Sequence, residues 1–142
     1  MIAGFQGTYR WLSNFWPAPV VYEGVLYPTT EHAYQAAKTE DTTARLRIAQ
    51  LLNPGDAKRA GRSLRMRPDW DNVKRAVMLD LLRQKFAVEP LRSKLLATEP
   101  HELFELNTWG DTFWGVVQRA DGFYGLNVLG NLLMQIRKEL KT

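Results

Sequence analysis

The pattern of apolar and polar positions predicts short strands near the start of the chain and helices over most of the rest. Residues 20–22 and 25–27 are β-prone runs on either side of Glu23-Gly24, a pair suited to a hairpin turn. Residues 102–106 alternate between polar and apolar side chains and predict another strand. The remainder of the first thirty residues predicts further short extended segments.

Polar caps and helix breakers divide the chain after residue 30 into several helices. Thr29 or Thr30 can cap a helix that begins near Glu31, and Asp41 can cap the next one. The apolar positions expected on that second helix are Leu46, Ala49 and Leu52. Residues 53–55 interrupt the pattern, and a short helix through residues 57–62 follows.

The second half of the chain gives the clearest helical pattern. A longer helix begins at Asp69 or Asp71, Pro90 opens another, and Asn127 is a suitable cap for the last. The apolar positions of the last helix are Leu129, Leu132, Leu133, Ile136 and Leu140. Together these elements predict an α+β fold, mainly helical with a small antiparallel β-sheet, in one domain over residues 1–142.

The composition excludes several classes of protein and site. The 142 residues include no cysteine, so disulfides and thiolate zinc sites are excluded, and two histidines are too few for a typical histidine-based metal site. A magnesium ion bound by carboxylates would need neither cysteine nor histidine, but no spacing of acidic residues in the sequence demands one. We therefore expect no metal or cofactor. No apolar run approaches the ~18 residues of a membrane span. The first residues also lack the apolar block of a signal peptide, which predicts a cytoplasmic protein without a membrane partner.

The net charge of +4 conceals a stronger local excess of positive charge. Residues 45–75 hold nine basic and three acidic side chains, a local charge of +6. The basic residues are Arg45, Arg47, Lys58, Arg59, Arg62, Arg65, Arg67, Lys74 and Arg75. Such an excess favours phosphate, either on a nucleic acid or on a small phosphorylated ligand. A solvated helical surface is the alternative, because runs of charge commonly have that role.

The helix predicted from Glu31 carries an unusual polar stripe. At helical spacing Glu31, Gln35 and Lys38 share one side, with Tyr34 beside them. Burying an acid, an amide, an amine and a phenol together is costly without polar partners, and a ligand can be such a partner. A solvated helix face explains the same pattern equally well.

A loop with two tryptophans is the second notable feature. Residues 107–115 place Trp109 and Trp114 between glycines, with Asp111 between them. Indole rings stack on flat heterocycles with ~1–3 kcal/mol per base. Asp111 can then bind a ribose hydroxyl or a ring nitrogen. The alternative is that one tryptophan fills the core, which is a common position for that side chain.

Three further segments are suited to ligand binding, each with a structural alternative. Asn14 lies among aromatic residues and can bind a base edge or a sugar, or else cap a turn. Lys58 and Arg62 share a helix face and can hold phosphate, or else form a solvated basic surface. Trp70 can stack on a ligand, although an anchoring role for the following helix is favoured.

These segments together resemble the NADAR family, also called YbiA-like N-glycosidases. The matching motifs are LSNF (12–15), YPTxEHAYQAxK (27–38), AKxxGR (57–62), DWDxxK (69–74), VM (77–78), KF (85–86), WGDxxWG (109–115) and GxNxLGxxLMxIR (125–137). They run in order over nearly the whole chain. One departure is visible after Thr98, where the family often has glycine and this chain has Glu99; that affects the local loop and not the expected chemistry.

The resemblance implies a compact, mainly helical fold and cleavage of N-glycosidic bonds to ribose. Two substrate classes are known for the family: phosphoribosylated pyrimidine intermediates of riboflavin synthesis, and ADP-ribose attached to guanine in a nucleoside or nucleic acid. The expected partners are therefore a phosphorylated ribosyl small molecule or ADP-ribosylated guanine, with nucleic acid as a further partner. The basic stretch of residues 45–75 slightly favours a pyrophosphate or nucleic-acid substrate. The oligomeric state is not readable from the sequence.

Cleavage of such a bond passes through a positively charged sugar, which gives the polar residues specific roles. Glu31, ionised at a helix N-terminus, is expected to stabilise that charge or to activate water. Asp111 can protonate the departing base or orient the ribose. Lys38 can pair with Glu31, bind phosphate or attack the sugar, in that order of preference. The predicted substrate-binding residues are Asn14, Tyr34, Lys58, Arg62, Trp70, Trp109, Trp114 and Asn127.

Two hypotheses without catalysis are alternatives to the enzyme hypothesis. One is a small basic nucleic-acid-binding module, and the other is a protein-binding domain that uses the tryptophan loop as its contact surface. Glu31 discriminates against the first, because a carboxylate beside a phosphate site repels the ligand of a simple binding module.

Overall fold

The structure, a computed structural model, describes all residues from Met1 to Thr142. In chain order its elements are β1 (Ile2–Ala3), a 3₁₀ helix (Gly7–Leu12), β2 (Pro17–Tyr22), β3 (Val25–Thr29), α1 (Thr30–Ala37), α2 (Thr42–Ala49), α3 (Pro54–Gly61), α4 (Trp70–Phe86), α5 (Leu91–Leu96), β4 (Leu103–Phe104), β5 (Val117–Arg119), β6 (Gly122–Tyr124) and α6 (Val128–Leu140). The predicted α+β class and the predominance of helix are confirmed. The chain divides into two compact units, residues 14–85 and residues 1–13 with 86–142. No helix combines the length and apolar composition needed to cross a membrane.

The predicted hairpin opens the unit of residues 14–85. Strands β2 and β3 are antiparallel, with Val21 opposite Leu26 and Tyr22 opposite Val25. The turn residues Glu23 and Gly24 have φ values of 44° and 81°. Two successive positive φ values match the right-handed twist of the strands, which explains why Glu-Gly terminates them here.

Side-chain caps fix the starts of α1 and α2 where the sequence predicts them. The Thr29 Oγ1 accepts the His32 backbone N–H at 3.1 Å, so Thr29 rather than Thr30 is the cap. The Asp41 Oδ1 accepts the Thr43 N–H at 3.0 Å. Every residue of α1 is buried, which turns its polar stripe into an internal feature of this unit.

The apolar face predicted for α2 is wrong. Leu46 and Leu52 are 51% and 92% exposed, whereas Arg45 and Ile48 are buried. Arg45 turns inward because its Nε donates to the Thr39 carbonyl at 2.8 Å, which satisfies a buried cation with a backbone acceptor. Leucine spacing alone therefore selected the wrong side of a short helix.

The remaining helices lie close to their predicted positions. Helix α3 begins directly at Pro54, which was expected to interrupt the preceding helix and occupies the first turn of the next one. Helix α4 follows Asp69 and buries Val77 and Leu81 as expected. Helix α5 begins after Pro90.

The unit of residues 1–13 and 86–142 is built around α6. Its Leu129, Leu133 and Ile136 are buried as predicted. The strand predicted over residues 102–106 shortens to β4, which pairs in parallel with β1, with Ile2 opposite Leu103. The expected small antiparallel sheet is in fact three two-stranded sheets, two antiparallel and one parallel. The β5–β6 hairpin was not predicted, and the 3₁₀ helix lies in a region predicted to be extended.

Candidate active site

Glu31 is a buried carboxylate in the first turn of α1. The residue is 8% exposed. Its backbone N–H donates to the Asn14 carbonyl at 3.1 Å, which joins the start of the helix to the segment before β2. The Gln35 Nε2, one turn later, donates to the Glu31 Oε2 at 2.6 Å. Two residues of the predicted polar stripe therefore contact each other inside the protein rather than in solvent.

Aromatic rings flank the other end of this stripe. The Lys38 Nζ lies 5.3 Å from the centre of the Tyr34 ring, a cation–π arrangement. Tyr34 in turn packs on Trp70, with ring centres 5.2 Å apart and planes inclined by 57°. Trp70 is buried at the start of α4, which agrees with the favoured anchoring role. Its contact with substrate stays a prediction.

The pKa of Lys38 is shifted by burial and by several charged side chains of this unit. Its pKa is lowered chiefly by burial, and the positive charges of Lys58, Lys74 and Arg62 lower it further. The negative charge of Glu31 opposes this shift without reversing it. The predicted phosphate residues Lys58 and Arg62 are thus electrostatically coupled to the stripe on α1. Lys74 joins them from α4; it belongs to the predicted basic stretch but not to the predicted substrate-binding residues.

Several buried polar atoms in this unit lack a hydrogen-bond partner. They are the Asn14 Oδ1, Tyr27 Oη, Thr30 Oγ1 and Gln35 Oε1. Three of these atoms belong to residues next to Glu31 in sequence or in hydrogen-bond contact with it. The Asn14 carbonyl accepts the Glu31 N–H, Thr30 precedes Glu31, and the Gln35 amide donates to its carboxylate. Buried polar atoms are normally paired, so such a group is typical of a site that receives a ligand or water.

Gln35, which belongs to the predicted polar stripe, contacts Gly61, and neither residue is among the predicted site residues. The Gln35 side chain occupies the space next to Gly61, so that a Cβ added there would stand 1.8 Å from the Gln35 Oε1. Gly61 is the last residue of α3, where glycine is common, so nothing in the sequence signals a close contact at this position. Its partner on α1 could not be read from the sequence.

His32 has a structural role. Its ring Nε2 donates to the Leu51 carbonyl at 2.9 Å, and its Nδ1 accepts the Thr29 hydroxyl at 2.7 Å. Burial lowers the pKa of this histidine, which favours the neutral ring that these two bonds require.

The tryptophan loop lies in the other unit and is organised by Asp111. The Asp111 Oδ1 accepts the backbone N–H groups of Phe113 and Trp114 at 3.0 and 2.9 Å. The Asn107 amide holds the same turn, with its Oδ1 accepting the Asp111 N–H at 2.9 Å. One oxygen of Asp111 therefore supports the loop, and its predicted part in catalysis stays a prediction.

The two tryptophans of the loop differ in exposure. Trp109 is 56% exposed, so it does not fill the core. Trp114 is half-buried and packs edge-on against Phe113, with ring centres 4.8 Å apart. Neither tryptophan is fully buried, which keeps both available as predicted stacking surfaces.

Asn127 does not cap α6 with its side chain as predicted, and its contact with substrate stays a prediction. It stands at the N-cap position of α6 with φ of 53°, but its side chain makes no capping bond. Instead its Oδ1 accepts the Glu105 N–H at 3.0 Å and its Nδ2 donates to the Leu103 carbonyl at 2.9 Å. Both ends of the amide hold strand β4, so this geometry lends no support to the predicted substrate contact.

Comparison with known proteins places the chain in a family. Residues 4–141 match the model of the NADAR domain. N-glycosidase YbiA of Escherichia coli (strain K12) is 41% identical over 133 residues, 90% of this chain and 79% of that protein. A riboflavin biosynthesis protein of Vibrio vulnificus (strain YJ016) is 36% identical over 133 residues, 92% of this chain but 35% of that longer protein. The NMR structure of E. coli YbiA matches with a TM-score of 0.83 and 39% identity, over 99% of this chain and 84% of that one. The chain therefore belongs to the NADAR family.

Proposed function

We propose that this protein is an N-glycosidase that hydrolyses the bond between a base and a phosphorylated ribose. The observation that carries the proposal is the buried Glu31 carboxylate, held by an amide and electrostatically coupled to Lys38, which is itself coupled to two further lysines and an arginine. A carboxylate suits a sugar that becomes positive, and the cations suit its phosphate. The activity named for YbiA, a relative over most of both chains, supports the same reaction.

The reaction that we propose is direct hydrolysis. The C–N bond to the base breaks, the sugar carbon gains a bond to a water oxygen, and the base leaves with a proton. Glu31 stabilises the transient positive charge or accepts the proton of the attacking water. Lys38 supports Glu31 electrostatically; phosphate binding and attack on the sugar as an amine are its second and third roles in order of preference.

The cations set the class of substrate. Lys58, Arg62 and Lys74 place three positive charges around Lys38, enough to hold a phosphate on the ribose. We propose two substrates: a phosphoribosylated riboflavin-pathway intermediate, and ADP-ribose on guanine in a nucleoside or nucleic acid. The name of the Vibrio relative favours the first. The basic stretch of the sequence tilts slightly toward the second.

The residues proposed to hold the base lie in the other unit. Trp109 and Trp114 are proposed to stack on it, and Asp111 to bind the ribose or the departing base. These assignments rest on the sequence motif, and the role of Glu31 does not depend on them.

The test is incubation of the protein with both substrates, with chromatography for free base and for released ribose 5-phosphate or ADP-ribose. Glu31→Gln is expected to lose most turnover while retaining substrate binding. Glu40→Gln is the matched control, since Glu40 is an exposed glutamate outside the site. Base release by the Glu31→Gln variant at the wild-type rate would remove Glu31 from the mechanism. Binding of nucleic acid without any base release would favour the non-catalytic binding module instead.

A further inference from the structure

The Gln35 side chain lies between Glu31 and Gly61 and connects α1 to α3. On one side its Nε2 donates to the Glu31 Oε2 at 2.6 Å, the short distance typical of a hydrogen bond to an ionised carboxylate. Gln35 is 3% exposed, so bulk water does not compete for this contact. The amide therefore restrains the carboxylate that the proposed reaction uses.

On the other side the amide fills the space that a side chain at position 61 would need. A Cβ on Gly61 would stand 1.8 Å from the Gln35 Oε1, 2.7 Å from its Cδ and 3.4 Å from its Cγ. These are the three nearest atoms, and all belong to Gln35. Gly61 is not in the left-handed region, so a side chain at this position is opposed by the Gln35 amide and not by backbone conformation.

The two contacts together fix which way the amide faces. Turning the amide by half a rotation would place its oxygen against the Glu31 carboxylate, and two acceptors would then face each other without a proton. The present orientation leaves the Gln35 Oε1 buried beside Gly61 without a hydrogen-bond partner. Burying this amide oxygen without a hydrogen-bond partner costs free energy, and the hydrogen bond to Glu31 offsets that cost.

We propose that Gln35 is a positioning residue for Glu31, and that residue 61 is glycine because the Gln35 amide occupies its side-chain space. The catalytic part of this inference rests on the proposed function, whereas the contacts do not. Gln35 keeps Glu31 in one rotamer and favours its ionised form, and Gly61 leaves room for Gln35 to do so. The other charged groups in this field are Lys38, Lys58, Arg62 and Lys74, and they stay unchanged in the variants below.

The first test replaces the amide by an apolar chain of similar length. Gln35→Met is expected to lower kcat by at least roughly tenfold while KM changes little. The reason is that the Glu31 carboxylate is no longer held in position, whereas the contacts to the substrate are unchanged. The pH at which the Glu31 carboxyl carbon titrates by NMR is expected to rise, because the ionised carboxylate loses a hydrogen-bond donor. Gln50→Met is the control, since Gln50 is an exposed glutamine outside the site. A raised KM with unchanged kcat, or an unchanged titration of Glu31, would overturn the positioning role.

The second test needs no activity and separates this inference from the proposed function. Gly61→Ala is expected to lower Tm in the wild-type background, and its effect is expected to shrink by at least about half in a Gln35→Ala background. Equal effects of Gly61→Ala in both backgrounds would show that the two residues do not compete for space. A wild-type protein that releases no base while the titration and the paired variants behave as expected would refute the proposed function and leave the contact standing. A Gly61→Ala chain that fails to fold alone but folds together with Gln35→Ala supports the inference in the same way.

Discussion

Lys85 is a buried amine whose replacement tests how burial and charge are balanced in this fold. It lies near the end of α4 and is 1% exposed. Burial lowers the pKa of Lys85 from 10.5 to about 7, because a charged ammonium loses its hydration inside the protein. The unfolded chain restores the ordinary value, so folding and proton release are linked at this residue.

The size of that linkage follows from the two pKa values. The difference between 10.5 and about 7 corresponds to roughly 5 kcal/mol, at about 1.4 kcal/mol for each pKa unit. Below pH 7 both states hold the proton, and the full cost of burying the charge opposes folding. Between pH 7 and pH 10.5 the unfolded state binds more protons than the folded state, so stability rises with pH. From pH 7 to pH 9 this single group contributes an increase of about 2 kcal/mol in the free energy of unfolding.

The perturbation is Lys85→Met, which keeps a long flexible chain and removes the ionisable group. Urea unfolding at pH 7 and at pH 9 gives the free energy of unfolding of both proteins. We expect the wild type to gain about 2 kcal/mol more than the variant between these two pH values. Lys138→Met, at an exposed lysine of α6, is the control and is expected to keep the wild-type pH dependence. Lys38 and the tyrosines are common to all three proteins, so their titration cancels in the comparison.

Parallel curves for the wild type and the Lys85→Met variant would refute the reasoning. They would mean that Lys85 remains protonated in the folded protein through pH 9, held by contacts that compensate for its burial. A larger rise for the variant than for the wild type would contradict the sign of the linkage as well as its size.

Four further changes probe other parts of the molecule. Lys58→Ala is expected to weaken binding of ribose 5-phosphate by about 1 kcal/mol in calorimetry, and the loss is expected to shrink at high salt; an equal loss at all salt concentrations would argue against a charge effect. Asp111→Ala removes the acceptor of two backbone N–H groups and is expected to cost about 2 kcal/mol in urea unfolding, whereas Asp111→Asn retains most of the stability; equal losses would contradict this. Arg137→Ala removes a buried bond of 2.9 Å to the Thr98 hydroxyl and is expected to cost about 3 kcal/mol in the same assay, with a loss below 1 kcal/mol contradicting it. Trp114→Ala is expected to weaken binding of a free base, followed by fluorescence quenching of the remaining tryptophans, while Tm falls by only a few degrees; an unfolded variant would indicate a core role.

Local signals in the sequence predicted the local parts of the fold. The turn at Glu23-Gly24 and the caps at Thr29 and Asp41 depend on residues within a few positions of each other, and the structure places them as expected. Such features follow from backbone conformation and short-range hydrogen bonds, which a sequence specifies directly.

Pairings between distant segments could not be predicted in the same way. The parallel contact of Ile2 with Leu103 joins strands of two residues each, too short to show any alternation of side chains. Arg45 belongs to the basic stretch predicted to favour phosphate or else to form a solvated surface, but its acceptor is the Thr39 carbonyl, which only the tertiary fold brings within reach. In this short helix, the side that carries the hydrogen-bonded Arg45 faces inward, and the leucines on the other side remain exposed.

The candidate site shows the same division between local and distant information. Glu31 lies in the first turn of α1 and Lys38 directly follows its last residue, and their shared side of the predicted helix suggests a pair in which each stabilises the charge of the other. In the folded protein the pKa of Lys38 is lowered, because burial and the charges contributed by α3, its C-terminal end and α4 outweigh the attraction of Glu31. A bound phosphate would neutralise those cations and favour the protonated amine again, so anion binding and the charge of Lys38 are linked in both directions. The sequence supplies the list of charges, but the direction of the Lys38 pKa shift is set first by burial in the fold and then by the cations that α3 and α4 bring toward α1.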